Sequence, residues 1–372
     1  MKILHVFKEY HPVVGGIQNH IRVLSEELAK DENFEVEVLV TNTKSNSMTQ
    51  YMDGVKVIKA GRIAQVASTP ISLSLFKFMR QAKPDILHLH FPYPLGEVAS
   101  LLFKNCDKVV LTYHGDIVRQ EKWLHLYMPF LRQLLRKIRV IICSNPNYIQ
   151  GSNLLKKYID KIEIIPYGID VVRFENVDEI EVARIKKRYG NAIVLFVGRL
   201  CYYKGLTYLV ESSKEVNAKF LLIGNGPYRS EIEDRIKRDN LEAKIVLLGE
   251  VSEDELPYYY HAADVLVLPS THRSEAFGIV LLEGMACGLP LISTELGTGT
   301  SFVNIDKQTG LVVPPGDPQA LANALNLLLA NENLRRQLGL AGKQRVNNEF
   351  TKELMTRRIK EVYYEMLKIC YL

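Results

Sequence analysis

The chain has 372 residues, 47% of them hydrophobic and 24% charged, with a formal net charge of +5; this allows two domains with separate cores and excludes a disordered, collagenous or disulfide-stapled chain. Five scattered cysteines (Cys106, Cys143, Cys201, Cys287 and Cys370) form no CxxC and no metal-ligand spacing, which suits reduced thiols in a cytoplasmic protein. Polar residues return by His5 and Lys8, too soon for a signal peptide, and no later stretch reaches the ~18 apolar residues of a membrane span.

Lys2–Phe7 reads as a first strand, followed by the Gly15-Gly16 loop and a helix from Ile17 to Ala29, where Ile17, Ile21, Leu24 and Leu28 share one face. Val36–Val40, Val55–Ala60, Ile86–His90, Val109–His114, Arg139–Cys143 and Lys161–Ile165 continue as strands. Pro166 to Asp170 then break the series. It restarts after a charged helix, Glu179–Tyr189, with strands at 192–197, 219–223, 245–248, 265–268, 289–293 and 310–313. A mostly helical tail runs from Ala320. Strands separated by helices imply parallel sheets with right-handed crossovers. The fold class expected is therefore α/β, with an active site in a cleft at the C-terminal strand ends.

Charge is uneven. Residues 1–170 hold 22 Lys and Arg against 16 Asp and Glu, and the remainder 25 against 26. Nine basic and two acidic residues fall between Arg119 and Lys161. An anionic lipid surface, a phosphorylated substrate or a solvated basic face each suits that bias. No stacking aromatics alternate with the basic run, so nucleic acid is not expected. In its second half Phe130, Leu131, Leu134, Leu135 and Ile138 follow helical spacing beside Arg132, Arg136, Lys137 and Arg139, while Trp123 and Tyr127 add aromatics suited to a headgroup boundary. Equally, Leu134, Leu135 and Ile138 could pack inward and leave a wet basic face.

Chemistry concentrates between Leu195 and Glu283. Gly198-Arg199 follows a strand and Lys204-Gly205 comes soon after; two cations at one strand end suit a pyrophosphate. Gly224-Asn225-Gly226 is a second glycine turn after a strand, though neither turn is a dinucleotide fingerprint. Glu275 is expected near a helix N-terminus, stabilised by free amides, with the amides of Phe277, Gly278 and Ile279 open to a phosphate or hydroxyl. On one helix Glu283 would lie ~12 Å below Glu275, too far for a hydrolase pair at about 5–9.5 Å but suited to opposite ends of a nucleotide sugar. In the first half, Gly15 and Gly16 precede a helix, and His114-Gly115-Asp116 ends a strand, where histidine can hydrogen-bond a hydroxyl or act as acid or base. His88 and His90 point to one face. With no third ligand of obvious spacing, zinc is not expected.

Taken together these residues resemble glycosyltransferase family 4, the retaining GT-B enzymes. The resemblance spans essentially the whole chain: His5-Val-Phe through Gly15-Gly16, His114-Gly-Asp, Asn145, Pro166 to Asp170, Gly198 to Gly205, Gly224 to Pro227, Tyr260 to Asp264, Pro269-Ser270 and the Glu275/Glu283 pair. It implies two Rossmann-like domains facing across a central cleft, with the acceptor domain at 1–170, the donor domain at 171–350 and a final helix at 351–372 crossing back to the first. Arg199 and Lys204 would bind the diphosphate, Glu275 the transferred hexose and Glu283 the ribose. Gly16 would approach the diphosphate, His114 the reacting carbon, and the loop at Gly249 to Val251 the base; Gly15 and Asp116 belong to the acceptor side. No metal or other cofactor is implied, because cations and helix amides supply the electrostatics. Arg273 to Gly278 and Gly297 to Ser301 resemble enzymes of O-antigen and exopolysaccharide assembly that use GDP-mannose, which favours mannosyl transfer to a lipid-linked or oligosaccharide acceptor at the cytoplasmic face of the inner membrane. UDP-hexose, UDP-N-acetylhexosamine and nucleotide-deoxyhexose donors remain alternatives, as do a sugar-nucleotide epimerase and a non-catalytic nucleotide-sugar-binding module.

Overall fold

The computed structural model describes residues 1–13, 15–66, 69–103, 106–116 and 121–368, without side chains at 121–126; Arg119 and Cys370, the side chain of Trp123 and the last four residues of the expected final helix lie outside that description. The chain divides into two compact units: Met1–Gly168 with the chain from Lys352 onward, and Ile169–Thr351.

In the first unit the elements run β1 (Lys2–Val6), α1 (Gly16–Ala29), β2 (Glu35–Thr41), β3 (Met48–Met52), β4 (Val55–Ala60), β5 (Ala64–Val66), β6 (Thr69–Ile71), α2 (Leu73–Gln81), β7 (Ile86–Phe91), α3 (Pro94–Phe103), β8 (Val109–Tyr113), α4 (Glu121–Lys137), β9 (Val140–Cys143), α5 (Pro146–Gly151) and β10 (Ile162–Ile164). Eight strands form one sheet in the order β10-β9-β8-β7-β1-β2-β4-β3. All pairings are parallel except that of β3 with β4. The apolar runs of β1 and β7 are buried along nearly their whole length, as expected for central strands covered by helices on both faces. Chain order reverses between β1 and β7, the position where open parallel sheets leave a crevice. β5 and β6 form a separate hairpin.

The second unit contains α6 (Glu179–Tyr189), β11 (Ile193–Val197), α7 (Leu206–Ser213), β12 (Lys219–Ile223), α8 (Arg229–Arg238), β13 (Ile245–Gly249), α9 (Leu256–Ala262), β14 (Val265–Leu268), α10 (Ile279–Ala286), β15 (Leu291–Thr294), α11 (Gly299–Val303), β16 (Gly310–Val313), α12 (Pro318–Ala330) and α13 (Glu332–Glu349). Its parallel sheet has the order β13-β12-β11-β14-β15-β16, so the chain winds outward from β11 in both directions. The reversal lies between β11 and β14.

The last helix, α14 (Lys352–Leu367), belongs to the first unit. Its buried face carries Met355, Ile359, Val362, Tyr363 and Met366. Lys352 and Lys360 pair with Glu27 and Asp31 at the end of α1, and Phe34 packs on Tyr363 and Tyr364. Among the described residues no helix is long and apolar enough to cross a membrane.

Candidate active site

The strand ends around the β11–β14 reversal are built backbone against backbone. Gly224 (φ 125°) lies so close to Gly198 that a Cβ would sit 2.1 Å from its carbonyl oxygen, and Gly205 (φ 68°) would bring one to 1.9 Å from the Pro269 oxygen. Only glycine meets both demands. The Gly198 amide donates to Ile223 O at 3.0 Å, Leu200 N to Asn225 O at 2.9 Å and Gly224 N to Gly249 O at 2.7 Å. The turns after β11, β12 and β13 thus form one continuous rim holding Gly198, Gly224, Gly226 and the half-buried Val251. Asn225 is exposed, and its side-chain oxygen accepts from Gly226 N at 2.9 Å.

Lys204 and Arg199 differ in environment. The Thr271 amide donates to Tyr203 O at 2.8 Å, which ties the Lys204 turn to the end of β14. Lys204 is 8% exposed and its Nζ lies 2.6 Å from Glu275 Oε2. Ser270 Oγ donates to the same oxygen at 2.8 Å, and Thr298 Oγ1 donates to the Glu275 carbonyl at 2.8 Å. Arg199 is exposed and has no side-chain partner among the described residues. One fixed and one mobile cation therefore stand at the same strand end.

The structure corrects the expected placing of Glu275. Helix α10 starts at Ile279, capped by Gly278 at φ 81°, so Glu275 lies in the loop before the helix rather than in its first turn. Lysine and serine side chains, not helix amides, hold its carboxylate. The two-turn spacing to Glu283 therefore does not apply. Phe277 and Gly278 are buried and Ile279 half-buried. Glu283, half-buried on α10, accepts from Tyr260 Oη at 2.5 Å. Desolvation raises its pKa, against the opposing pull of the Tyr260 hydrogen bond and the Arg173 charge. Ser270, Thr298 and Tyr260 carried no role in the sequence reading, although each stood in a segment quoted for the family resemblance.

In the first unit, His114, Asp116, Gly15 and Gly16 follow the ends of β8 and β1. The Asp116 side chain accepts from Tyr113 Oη at 2.6 Å and its amide donates to Tyr148 Oη at 2.9 Å. Gly15 is extended and precedes α1 with no side-chain cap; a Cβ there would lie 2.4 Å from the Gln18 side chain. His114, 2% exposed, joins four other buried histidines. The parallel register sets His5 opposite His88. His5 Nδ1 and His90 Nε2 are 3.0 Å apart, and His90 Nδ1 and His114 Nε2 are 2.9 Å apart; His114 Nδ1 also bonds Tyr167 Oη. His88 is held by Tyr363 Oη at 2.6 Å and Thr112 Oγ1 at 2.7 Å. His20 from α1 packs tilted against Tyr167, ring centroids 4.4 Å apart. Burial keeps all five neutral, with His5 and His20 pushed down to about 3. A neutral His114 with both nitrogens engaged is suited to hydrogen bonding more than to proton donation. The missing partners for His88 and His90 were thus present, brought by other elements and so invisible to local spacing.

Two doubly wound units in one chain, one of them carrying glycine turns and cations at its strand ends, form the architecture of the GT-B glycosyltransferases. Residues 14–173 match the model of "Glycosyltransferase Family 4" and residues 177–345 that of "Glycosyl transferases group 1". The chain is 35% identical to O-antigen chain mannosyltransferase C of Escherichia coli, over 99% of both proteins. It is 34% identical to D-rhamnosyltransferase WbpZ of Pseudomonas aeruginosa, over 94% of this chain and 92% of that one. Among solved structures, sucrose-phosphate synthase from Thermosynechococcus elongatus superposes with a TM-score of 0.83 at 25% identity, covering 99% of each chain. The chain belongs to glycosyltransferase family 4.

Proposed function

We propose that this protein transfers mannose from GDP-mannose, with retention of anomeric configuration, to a lipid-linked or oligosaccharide acceptor in cell-surface polysaccharide or glycolipid synthesis. The observation that carries the reading is the Lys204–Glu275 pair at the β11–β14 reversal, with Arg199 exposed beside it. A departing nucleoside diphosphate gains negative charge as the sugar bond breaks, and preorganised cations lower that barrier. Arg199 and Lys204 take this role. Glu275, held by Lys204 and Ser270, meets the hydroxyls of the hexose; Glu283 meets the ribose. Gly15, Gly16, His114 and Asp116 form the first unit's share of the substrate contacts. The leaving phosphate oxygen accepts the proton of the incoming acceptor hydroxyl on the same face, so the transfer needs neither a covalent nucleophile nor a metal.

Similarity to an O-antigen mannosyltransferase supports the donor and the acceptor class. Similarity to a D-rhamnosyltransferase favours one alternative, a nucleotide-activated 6-deoxyhexose. A donor panel in the presence of EDTA, with lipid extract as acceptor, tests the proposal. Turnover of GDP-mannose with an α-linked product is expected. Turnover of UDP-sugars alone, a β-linked product, or activity that returns only on adding magnesium or manganese would each overturn the corresponding part. The acceptor places the protein at the cytoplasmic face of the membrane, held through the basic face of α4.

A further inference from the structure

His20 lies in the interior of the first unit, 3% exposed, with neither ring nitrogen hydrogen-bonded. Leaving a buried polar atom unpaired costs on the order of 1–3 kcal/mol, and buried orphans of this kind call for an unseen water or ion. One nitrogen from each of His20, His90 and His114 lies within 4.8 Å of the other two. We propose that these three histidines form a transition-metal site that takes a zinc-class divalent ion, which holds His114 in place and takes no part in breaking the sugar bond.

The surrounding bonds suit such an ion. A metal-bound imidazole usually donates its other N–H to a fixed partner, which sets its tautomer and orientation. His90 Nε2 already faces His5 Nδ1 at 3.0 Å, and His114 Nδ1 faces Tyr167 Oη. The nitrogens left pointing at each other are His90 Nδ1 and His114 Nε2, 2.9 Å apart. Two ligands at ~2.0–2.1 Å in tetrahedral geometry stand roughly 3.4 Å apart, so the pair opens by about half an ångström and loses one hydrogen bond. One of the unpaired His20 nitrogens lies within 4.8 Å of a nitrogen of each of these two. Three histidines leave a fourth position for water or hydroxide, a donor set that suits Zn²⁺, Co²⁺ or Ni²⁺. A second triad, His5, His88 and His90, is also compact. It is the weaker choice, because hydroxyls of Tyr363 and Thr112 occupy both nitrogens of His88.

The test uses the full chain produced in zinc-supplemented medium, with metal content measured by mass spectrometry and the stripped protein titrated with Co²⁺. About one zinc ion per chain is expected, with the visible ligand-field absorption of tetrahedral Co²⁺. His20→Phe keeps an aromatic ring against Tyr167 and removes the ligand nitrogens; it should weaken binding at least ~10-fold while circular dichroism stays unchanged. His88→Asn should bind as the wild type does. Metal-free wild type that gives no Co²⁺ spectrum would overturn the proposal. So would undiminished binding in folded His20→Phe, or binding lost in His88→Asn but kept in His20→Phe. A crystal structure of zinc-grown protein with only water on the His20 nitrogens would have the same force. Neither metal content nor spectrum depends on the donor or acceptor, so failure here leaves the transferase reading standing.

Discussion

Lys204 and Arg199 leave the same strand end but bear on the fold differently. Lys204 is buried against Glu275, and removing one partner of a buried pair strands the other charge. Lys204→Ala is therefore expected to lower turnover by at least ~10²-fold and to cost about 3 kcal/mol of stability. Arg199→Ala should lose a similar factor in turnover with stability unchanged within about 0.5 kcal/mol. Steady-state kinetics and urea unfolding of both variants check this, and near-normal turnover in either folded protein would remove its residue from the diphosphate clamp. The two glutamates should also separate. Glu283→Gln is expected to weaken binding of free GDP, and Tyr260→Phe to weaken it about 5–10-fold through loss of one buried hydrogen bond that orients the Glu283 carboxylate. Glu275→Gln should spare GDP affinity and damage transfer. Calorimetry with GDP alone decides, since equal losses for Glu275→Gln and Glu283→Gln would contradict the division of labour.

At the scale of elements, what periodicity could show was legible and what depends on neighbours was not. The apolar runs of β1, β2, β4, β7 to β9 and β11 to β16 fall within a few residues of the spans read from the sequence, because buried parallel strands are locally apolar. Edge strand β3 is largely exposed and carries Thr49 and Gln50; it has no such signature and was missed. The helix after Gly278 follows its apolar pattern, but the two-turn count from Glu275 to Glu283 fails because Gly278 at φ 81° breaks the helical backbone between them. Helix α4 resolves the double reading of the basic segment. Leu131, Leu134, Leu135 and Ile138 are at most 2% exposed, so they pack inward and insert into nothing. Arg132, Arg136, Lys137 and Arg139 are exposed, with Phe130 beside them. Lys161 donates to the carbonyls of Leu135, Arg136 and Ile138 at the C-terminal end of α4, which commits it to capping. The membrane attachment proposed above would therefore be electrostatic, worth ≈1 kcal/mol per basic residue near an anionic surface. Co-sedimentation with anionic vesicles should fall with salt and when all four are changed to serine. Attachment indifferent to both would exclude this face.

For the whole molecule, the histidine cluster and Glu97 give stability opposite dependences on pH. The five buried histidines stay neutral when folded but take up protons near pH 6.5 when unfolded. The unfolded state then binds more protons, so stability falls as pH drops below 6.5, by up to ~1.4 kcal/mol per pH unit for each histidine. Glu97 is fully desolvated, with its carboxyl raised to about 8. Between pH 4.5 and 8 the folded state binds the extra proton, so this term falls as pH rises. Stability of the first unit should peak near pH 6.5, and Glu97→Gln should flatten the alkaline limb while steepening the acid limb between pH 4.5 and 6.5. Amide hydrogen exchange of the central strands β1 and β7 in urea follows this transition. An acid limb no steeper than the alkaline one would contradict the assignment. None of this was readable from the chain alone, because strand register, not spacing, gathers His5, His88, His90 and His114.

Helix α14 completes a unit whose other residues are synthesised first. Tyr363, which satisfies His88, and Lys352 and Lys360, which clasp the end of α1, leave the ribosome only after all 183 residues of Ile169–Thr351. Domains commonly fold in order as they emerge. Here the first to emerge is expected to wait, the face that α14 covers still open, while the second is made and folds ahead of it. Nascent chains stalled before residue 352 should therefore show the second unit resistant to protease and the first still cleavable, and truncation at that point should expose the N-terminal half to chaperones while sparing the other.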